Sequence, residues 1–218
     1  YPCFLPMATT RLALFTVWIL LHGARGDVCA TTTPTTNREL RSIISNCDRS
    51  VIESLNVTLI TDFFRVFSGS DFNGNLSGWD VSNGVVFEGM FYGAAEFDGD
   101  ISTWKVSNGK DFSYMFWGAT EFSGDLSGWD VSSGVNFYEM FYGASSFNSD
   151  ISGWDVSSGD YFDFMFDGAT SFNQSLPCWL IRRDHSPIDY SYLFPTGFQP
   201  CFDMSLWPPH QGKWPSDL

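Results

Sequence analysis

The stretch Phe72–Glu96 reads FNGNLSGWDVSNGVVFEGMFYGAAE, and the chain then repeats this 25-residue pattern. Three further copies follow with no insertion or deletion between them: 97–121, 122–146 and 147–171. Self-similarity at a fixed period of about 20 to 50 residues is typical of repeat architectures, and it takes priority over any single predicted element. The sequence therefore predicts stacked units, each of which contacts its neighbours.

Incomplete copies flank the four complete ones. A worn copy lies at 61–67, and a last copy begins at Phe172 and loses the pattern after Trp179. Before the repeats, Asn37 is placed to cap a helix at 38–45. We therefore divide the mature chain into an N-terminal cap, a repeat region and a C-terminal cap or tail, at 27–60, 61–179 and 180–218.

The apolar columns of the repeat do not vary between the four complete copies. Each carries Trp, Val, Met-Phe and Gly-Ala at the same offsets, and Trp recurs at 79, 104, 129, 154 and 179. One unit of this size cannot bury such a face alone, whereas stacked units bury it continuously. We therefore interpret the columns as ladders of side chains inside a solenoid rather than as a cofactor site, and we expect no cofactor.

Each copy has the spacing of a short strand followed by a short helix. Leu76, Trp79 and Val81 follow the L-x-x-L-x-L spacing of a leucine-rich-repeat strand. The apolar residues that come next lie at i, i+3, i+4 and i+7, one face of a helix or 3₁₀ turn: Phe87, Met90, Phe91 and Ala94. The expected fold class is an α/β repeat solenoid with one strand and one short helix or 3₁₀ turn per unit.

The unit W-D-V-S-[NS]-G-x-x-F-x-x-M-F-x-G-A-x-x-F-x-x-D-[LI]-S resembles the repeat of the BspA-like leucine-rich-repeat surface proteins over about 61–179. The resemblance implies a right-handed, leucine-rich-repeat-like coil, an extracellular or cell-surface location, and a role in adhesion or protein binding. It carries no catalytic residue over to this chain.

The N-terminus has the order of a secretory signal peptide. An apolar run, LALFTVWILL, occupies 12–21, follows a basic residue and precedes small residues. Ten apolar residues are too few to span a bilayer as a helix. We expect a signal peptide in residues 1–26, starting at Met7, with cleavage after Gly26 or alternatively after Ala30. No transmembrane span is predicted in this sequence.

Cysteines and glycosylation sequons agree with secretion. Cleavage after Gly26 leaves four cysteines, an even number suited to an oxidising compartment. Because short loops close more easily than long ones, we expect one bridge at each end: Cys29 with Cys47, and Cys178 with Cys201. Three Asn-x-Ser/Thr triplets offer glycosylation sites: Asn56, Asn75 and Asn173.

Composition excludes several classes of function. The formal net charge of the 218-residue chain is −14, because 25 acidic residues face 11 Lys and Arg. This acidity argues against nucleic-acid binding, which needs a basic footprint. Aromatic residues make up 18% of the chain, which argues against disorder, and 3 His leave little material for acid–base catalysis.

Two acidic columns are the candidate binding residues. One column runs through Asp100, Asp125 and Asp150, with Asn75 at its head; the other contains Asp80, Asp130 and Asp155, with Lys105 in the second position. Stacked carboxylates suit Ca²⁺, but no Ca²⁺-binding motif is present, and we favour a solvated acidic face. A second candidate stripe, for sugar or protein binding, is a column of aromatic residues that packs laterally in the alternative interpretation: Tyr92, Trp117 and Tyr142.

These observations predict a binding protein without catalysis. The expected partner is a protein or glycan at a cell surface, bound through the acidic face of the solenoid. The alternatives are a structural component of an extracellular coat or wall, and a calcium-dependent or glycan-binding adhesin. A hydrolase needs a defined carboxylate pair or a Ser/His/Asp set, and the repeats offer neither.

Overall fold

The computed structural model describes residues 28–30, 33–174 and 176. Three predictions therefore lie outside the described residues: the signal peptide at 1–26, the Cys178–Cys201 bridge and the C-terminal cap at 180–218. Within the described part, no helix is both long and apolar enough to cross a membrane.

Within residues 33–60, the N-terminal cap contains two helices, α1 (Asn37–Asn46) and α2 (Arg49–Glu53). The helix predicted at 38–45 is thus present, but its N-cap is Thr36, whose hydroxyl accepts a hydrogen bond from the Glu39 amide at 3.2 Å. The Glu39 carboxylate in turn accepts from the Thr35 amide, an arrangement like a capping box. Asn37 is therefore free to bond elsewhere.

Asn37 joins the cap to the first repeat. Its Nδ2 donates to the carbonyls of Asp62 and Phe64, at 3.1 and 3.0 Å. The Cys29–Cys47 disulfide, as predicted, ties residues 28–30 to the end of α1. Leu40 and Ile43 of α1 and Ile52 of α2 are buried and belong to the same apolar core as the repeats.

The repeats consist of turns. Of the two predictions for Phe87 to Ala94, a short helix or a 3₁₀ turn, the helix is absent, and separate i→i+3 hydrogen bonds form instead, from Met90 to Phe87 at 3.1 Å and from Ala94 to Phe91 at 3.0 Å. From residue 54 onward, the described residues contain no helix. The cause is two residues per copy with positive φ. The first has φ between 50° and 58° and lies inside the segment: Gly89, Tyr114, Glu139 and Phe164. The second has φ between 65° and 74° and is always glycine: Gly93, Gly118, Gly143 and Gly168. A left-handed residue breaks a right-handed helix after its first turn, although the apolar side chains keep their helix-like spacing.

Pairing between copies also differs from the prediction. No strand is found at Leu76 to Val81; single parallel bridges instead join equivalent residues of successive copies, at Asp62, Val86, Asp111, Asn136 and Tyr161. Alternate amides of the turn segment donate to the next copy. Phe87 donates to Asp111 at 2.8 Å, and Gly89 donates to Ser113 at 2.8 Å. The backbone hydrogen bonds between neighbouring copies therefore come from the turn segment and not from the Trp segment.

Aromatic ladders fill the core, as the invariant columns predict. The Phe87 and Phe112 rings lie 5.4 Å apart and parallel within 1°, and the Phe112 and Phe137 rings follow at 5.5 Å. Trp104 stacks between Trp79 and Trp129 at 6.4 and 6.2 Å. These side chains are buried. Each ladder therefore advances by one ring per copy, with 5.4 to 6.4 Å between successive ring centroids.

Candidate binding surface

The six predicted aspartates share one local structure, a turn in which the carboxylate accepts a hydrogen bond from the amide of the serine two residues later. Asp100 accepts from the Ser102 amide at 3.0 Å and from its hydroxyl at 2.7 Å. The other five make the same backbone contact: Asp80, Asp125, Asp130, Asp150 and Asp155. All six residues are exposed. Together they form a solvated acidic surface.

Hydrogen bonding keeps these carboxylates ionised. The serine amide and hydroxyl lower the pKa of every one of the six below that of an ordinary aspartate. A hydrogen bond to the charged form favours that form, and here it outweighs the opposing effect of partial burial. The surface therefore holds its negative charge throughout the physiological pH range.

Carboxylates of neighbouring copies are close enough to repel one another. The charge of Asp125 raises the pKa of Asp100 and of Asp150, against the larger effect of their serines. In the second column, Lys105 acts oppositely and helps to lower the pKa of Asp80. Like charges at adjacent positions oppose folding, and Lys105 relieves that cost where it interrupts the column.

In the part of the chain that the structure describes, few of these charges are neutralised by basic side chains. Among the described residues one ion pair is found, between Arg49 and Glu53 at 2.7 Å. No three His, Cys, Asp or Glu side chains in the described part come together in a way that could hold a metal ion. The acidic columns are therefore spread along the surface as separate carboxylates.

The sequons lie on exposed residues of the same structure. Asn75 occupies the position of Asp100 in the preceding copy, and its Oδ1 accepts from the Ser77 amide at 2.8 Å. Asn56 accepts from the Thr58 hydroxyl at 2.7 Å. Asn173 is exposed, whereas Ser175 of its triplet lies outside the described residues. The side chain of Asn75 thus replaces aspartate in the turn without changing its hydrogen bond.

The column of Tyr92, Trp117 and Tyr142 packs laterally. The rings stack face to face, with centroids 4.5 and 5.6 Å apart and planes within 5°. All three residues are half-buried. Because a sugar stacks on a ring face, and these faces cover one another, the column is no open platform for sugar along its length.

Several residues around this column carry charge or polarity that the sequence did not single out. Arg65 lies over the Tyr92 ring at 5.0 Å, and Trp117 Nε1 donates to the Glu139 carboxylate at 3.0 Å. A hydrogen bond to Glu139 raises the pKa of Tyr138 to about 12. The repeat register was the available signal, since it aligns Asp167 with the three aromatic residues. Arg65 is not part of that column; it belongs to the worn first copy, which pairs with the next copy at a separation of 24 residues, as at Asp62 and Val86.

Comparison with known families gives one match. The model of a family described as "Mycoplasma protein of unknown function, DUF285" matches residues 38–136 and 113–197, which together span well over half of the chain. No curated protein and no solved structure matches.

Proposed function

The chain belongs to the DUF285 family, and we propose that it is a non-catalytic protein that binds a protein or a cell surface through its six acidic turns. The proposal includes the finer relationship with BspA-like surface proteins and a location outside the cell. A description of unknown function assigns no activity, so the proposal rests on the residues of the surface itself.

The regular display of ionised carboxylates is the observation that carries this proposal. The aspartates recur on exposed turns at every copy, and each is held by the serine of its own turn. A charge that is already fixed in place loses little freedom when a partner binds. Rows of like charge also steer an oppositely charged partner toward the surface and raise the rate of association.

The contacts between copies support the solenoid that would present these rows. Backbone bonds, parallel bridges and ring stacks all join residues about 25 positions apart. Such nearest-neighbour contacts are typical of repeat solenoids. We propose a right-handed, leucine-rich-repeat-like coil on this basis, built from turns rather than from a strand and a helix.

The Cys29–Cys47 disulfide supports a location outside the cytosol. Structural disulfides persist in oxidising compartments and are rare where thiols are kept reduced. The bridge closes the N-terminal cap, at the end of the repeat region where a cover is needed. The proposed location is therefore secreted or cell-surface.

A binding screen with charge-matched variants tests the function. The labelled full chain is offered to live cells and to a glycan array, as wild type and as a variant with three aspartates replaced by asparagine: Asp125, Asp130 and Asp150. Asparagine keeps the turn, as Asn75 does. The protein is made in the bacterial periplasm, where the bridge can form and the new Asn-x-Ser triplets stay unmodified.

A second triple variant is the control for net charge, with exposed acidic residues outside the six turns replaced by their amides: Asp71, Glu96 and Glu121. We expect the turn variant to bind roughly tenfold more weakly at low salt, and the control to lose much less. Equal losses would contradict the assignment to the turns. A wild-type chain that binds no cell and no glycan would instead favour the alternative function, a structural component of an extracellular coat or wall.

A further inference from the structure

We propose that the open end of the aromatic column, at Tyr142, is a docking site for an arginine side chain of a basic protein partner, with Asp167 as its counter-ion. This inference rests on the proposed binding function and specifies the chemistry of the partner. It names one position on the molecule, separate from the acidic turns.

The other end of the same column shows how a guanidinium binds there. Arg65 lies with its guanidinium carbon 5.0 Å from the centroid of Tyr92 and 5.4 Å from that of Phe64. Both distances are within the range of a cation–π interaction. The Arg65 charge also lowers the pKa of Glu88, against the larger effect of burial, so the cation has a carboxylate within its field. Within this chain, therefore, an arginine side chain already makes a cation–π contact with a ring of this column.

The Tyr142 end of the column also has an aromatic ring, but an aspartate rather than an arginine lies next to it in the sequence register. Tyr142 stacks on Trp117, and the next position of the column is Asp167, which is exposed. The Gly143 amide donates to the Asp167 carbonyl at 2.7 Å, which places Asp167 one copy away from Tyr142. Gly168 beside it adds no side chain. A half-buried ring therefore stands in register with an exposed aspartate. At the opposite end, Arg65 lies over the Tyr92 ring, and the half-buried Glu88 carboxylate lies within the field of its charge without forming an ion pair with it.

The charge around this end fits a cationic occupant. The sequence from 111 through 181 contains no Lys, Arg or His, while Asp and Glu recur throughout it. In the described part, the carboxylates nearest along the chain are Asp163 and Asp160. Arginine is the better occupant than lysine, because its planar guanidinium stacks on an aromatic face and pairs with a carboxylate at the same time.

Titration with short peptides tests the site in the full chain. Labelled hexa-arginine is added at low salt, with hexa-citrulline as its uncharged isostere, and binding is followed by fluorescence anisotropy. We expect Asp167→Asn to weaken hexa-arginine binding about fivefold. The matched control, Asp160→Asn, removes the same charge from an exposed residue outside the column and should change binding less than about twofold.

A second pair of variants tests the ring. Tyr142→Leu should weaken binding to the same extent as Asp167→Asn, whereas Tyr161→Leu, an exposed tyrosine outside the column, should not. Near-ultraviolet circular dichroism confirms that each variant is folded. Because Asp167 is exposed, its variant keeps the test valid if Tyr142→Leu fails to fold.

Three results would overturn the inference: equal effects of the Asp167 and Asp160 variants, equal binding of hexa-citrulline, or no binding of hexa-arginine by the wild type. If the wild type binds no hexa-arginine but a variant with Arg182 and Arg183 changed to Gln does, the column end is a site for the chain's own tail and the partner site is refuted. Cell binding that survives any of these results leaves the acidic turns as the proposed binding residues, so the two proposals fail separately.

Discussion

At the scale of single residues, the invariant tryptophans do more than fill space. The indole nitrogens of Trp104, Trp129 and Trp154 each donate to a main-chain carbonyl 28 positions earlier, at 2.9, 3.2 and 3.0 Å. The rings are buried, and each bond crosses from one copy to the preceding one. Tryptophan is therefore required for a directed contact that phenylalanine, equally apolar, cannot make.

Replacing Trp104 with Phe isolates that hydrogen bond. The ring can still stack, but the bond to the Leu76 carbonyl is lost, and we expect the free energy of unfolding to fall by about 1–2 kcal/mol. Urea denaturation followed by circular dichroism measures the change. The control is Trp117→Phe, whose indole is half-buried and bonds to a side chain. A loss at Trp117 as large as that at Trp104 would contradict the argument.

At the scale of elements, the sequence predicted the contents of the core but misplaced the backbone. The columns of Phe, Trp and Met are buried as expected. Of the predicted helix or 3₁₀ turn, only i→i+3 turns form, because φ is positive at Tyr114, Glu139 and Phe164, residue types that give no sequence signal for a left-handed conformation. The strand failed because the ladder bonds come from alternate amides of a turn segment, whose side chains have helical spacing.

The candidate binding surface was also predicted only in part. The six aspartates were found from their register alone, since a column of polar residues between buried columns must face solvent. The sequence does not distinguish an aspartate that is merely exposed from one that accepts a hydrogen bond from a serine amide. That role follows from the structure, in which the serine amides donate to the carboxylates. The contact of Arg65 with Tyr92 was missed because Arg65 lies in the worn copy, which pairs with the next copy at a separation of 24 residues rather than 25.

The serine turn also makes each acidic position a potential glycosylation site. Every aspartate of the two columns is followed two residues later by serine, so asparagine at that position creates an Asn-x-Ser triplet. Asn75 is the natural case, and its Oδ1 takes the structural bond while the side chain stays exposed. In a eukaryotic secretory host we expect Asn75→Asp to remove one glycan and Asp100→Asn to add one. Gel mobility before and after peptide-N-glycosidase measures both changes.

The control for this pair is Asp100→Asn combined with Ser102→Ala, which keeps the asparagine but destroys the triplet. Its mobility should match the wild type. If Asp100→Asn itself gains no glycan although Asn75 carries one, the two turns are not equivalent in accessibility, and the prediction is wrong.

At the scale of the whole molecule, contacts between neighbouring copies dominate the repeat region. The backbone ladder, the ring stacks and the tryptophan bonds all connect a copy with the one before or after it. Stability in such a chain is close to a sum of unit terms and nearest-neighbour interface terms. The molecule should therefore tolerate the loss of a complete copy better than the loss of half a copy.

Deleting residues 122–146 tests this additivity. The deletion joins Glu121 to Phe147, so that Trp154 faces Trp104 and Met165 faces Met115 in the register of the original ladders. Lys105 is retained and lies next to Asp155, which avoids a new like-charge contact. We expect a folded protein with one cooperative urea transition at a lower midpoint. Its m-value should fall roughly in proportion to the residues removed, because m follows the surface exposed on unfolding.

Deleting only 122–133 is the matched control, because it shifts every later residue out of register with the copy before it. Phe and Trp would then face polar positions, and the buried ladders could not form across the junction. We expect this shorter deletion to abolish the cooperative transition and the near-ultraviolet signal of packed tryptophans. If the in-register deletion behaves no better than the out-of-register one, stability depends on contacts that span more than adjacent copies, and the nearest-neighbour description of this chain is wrong.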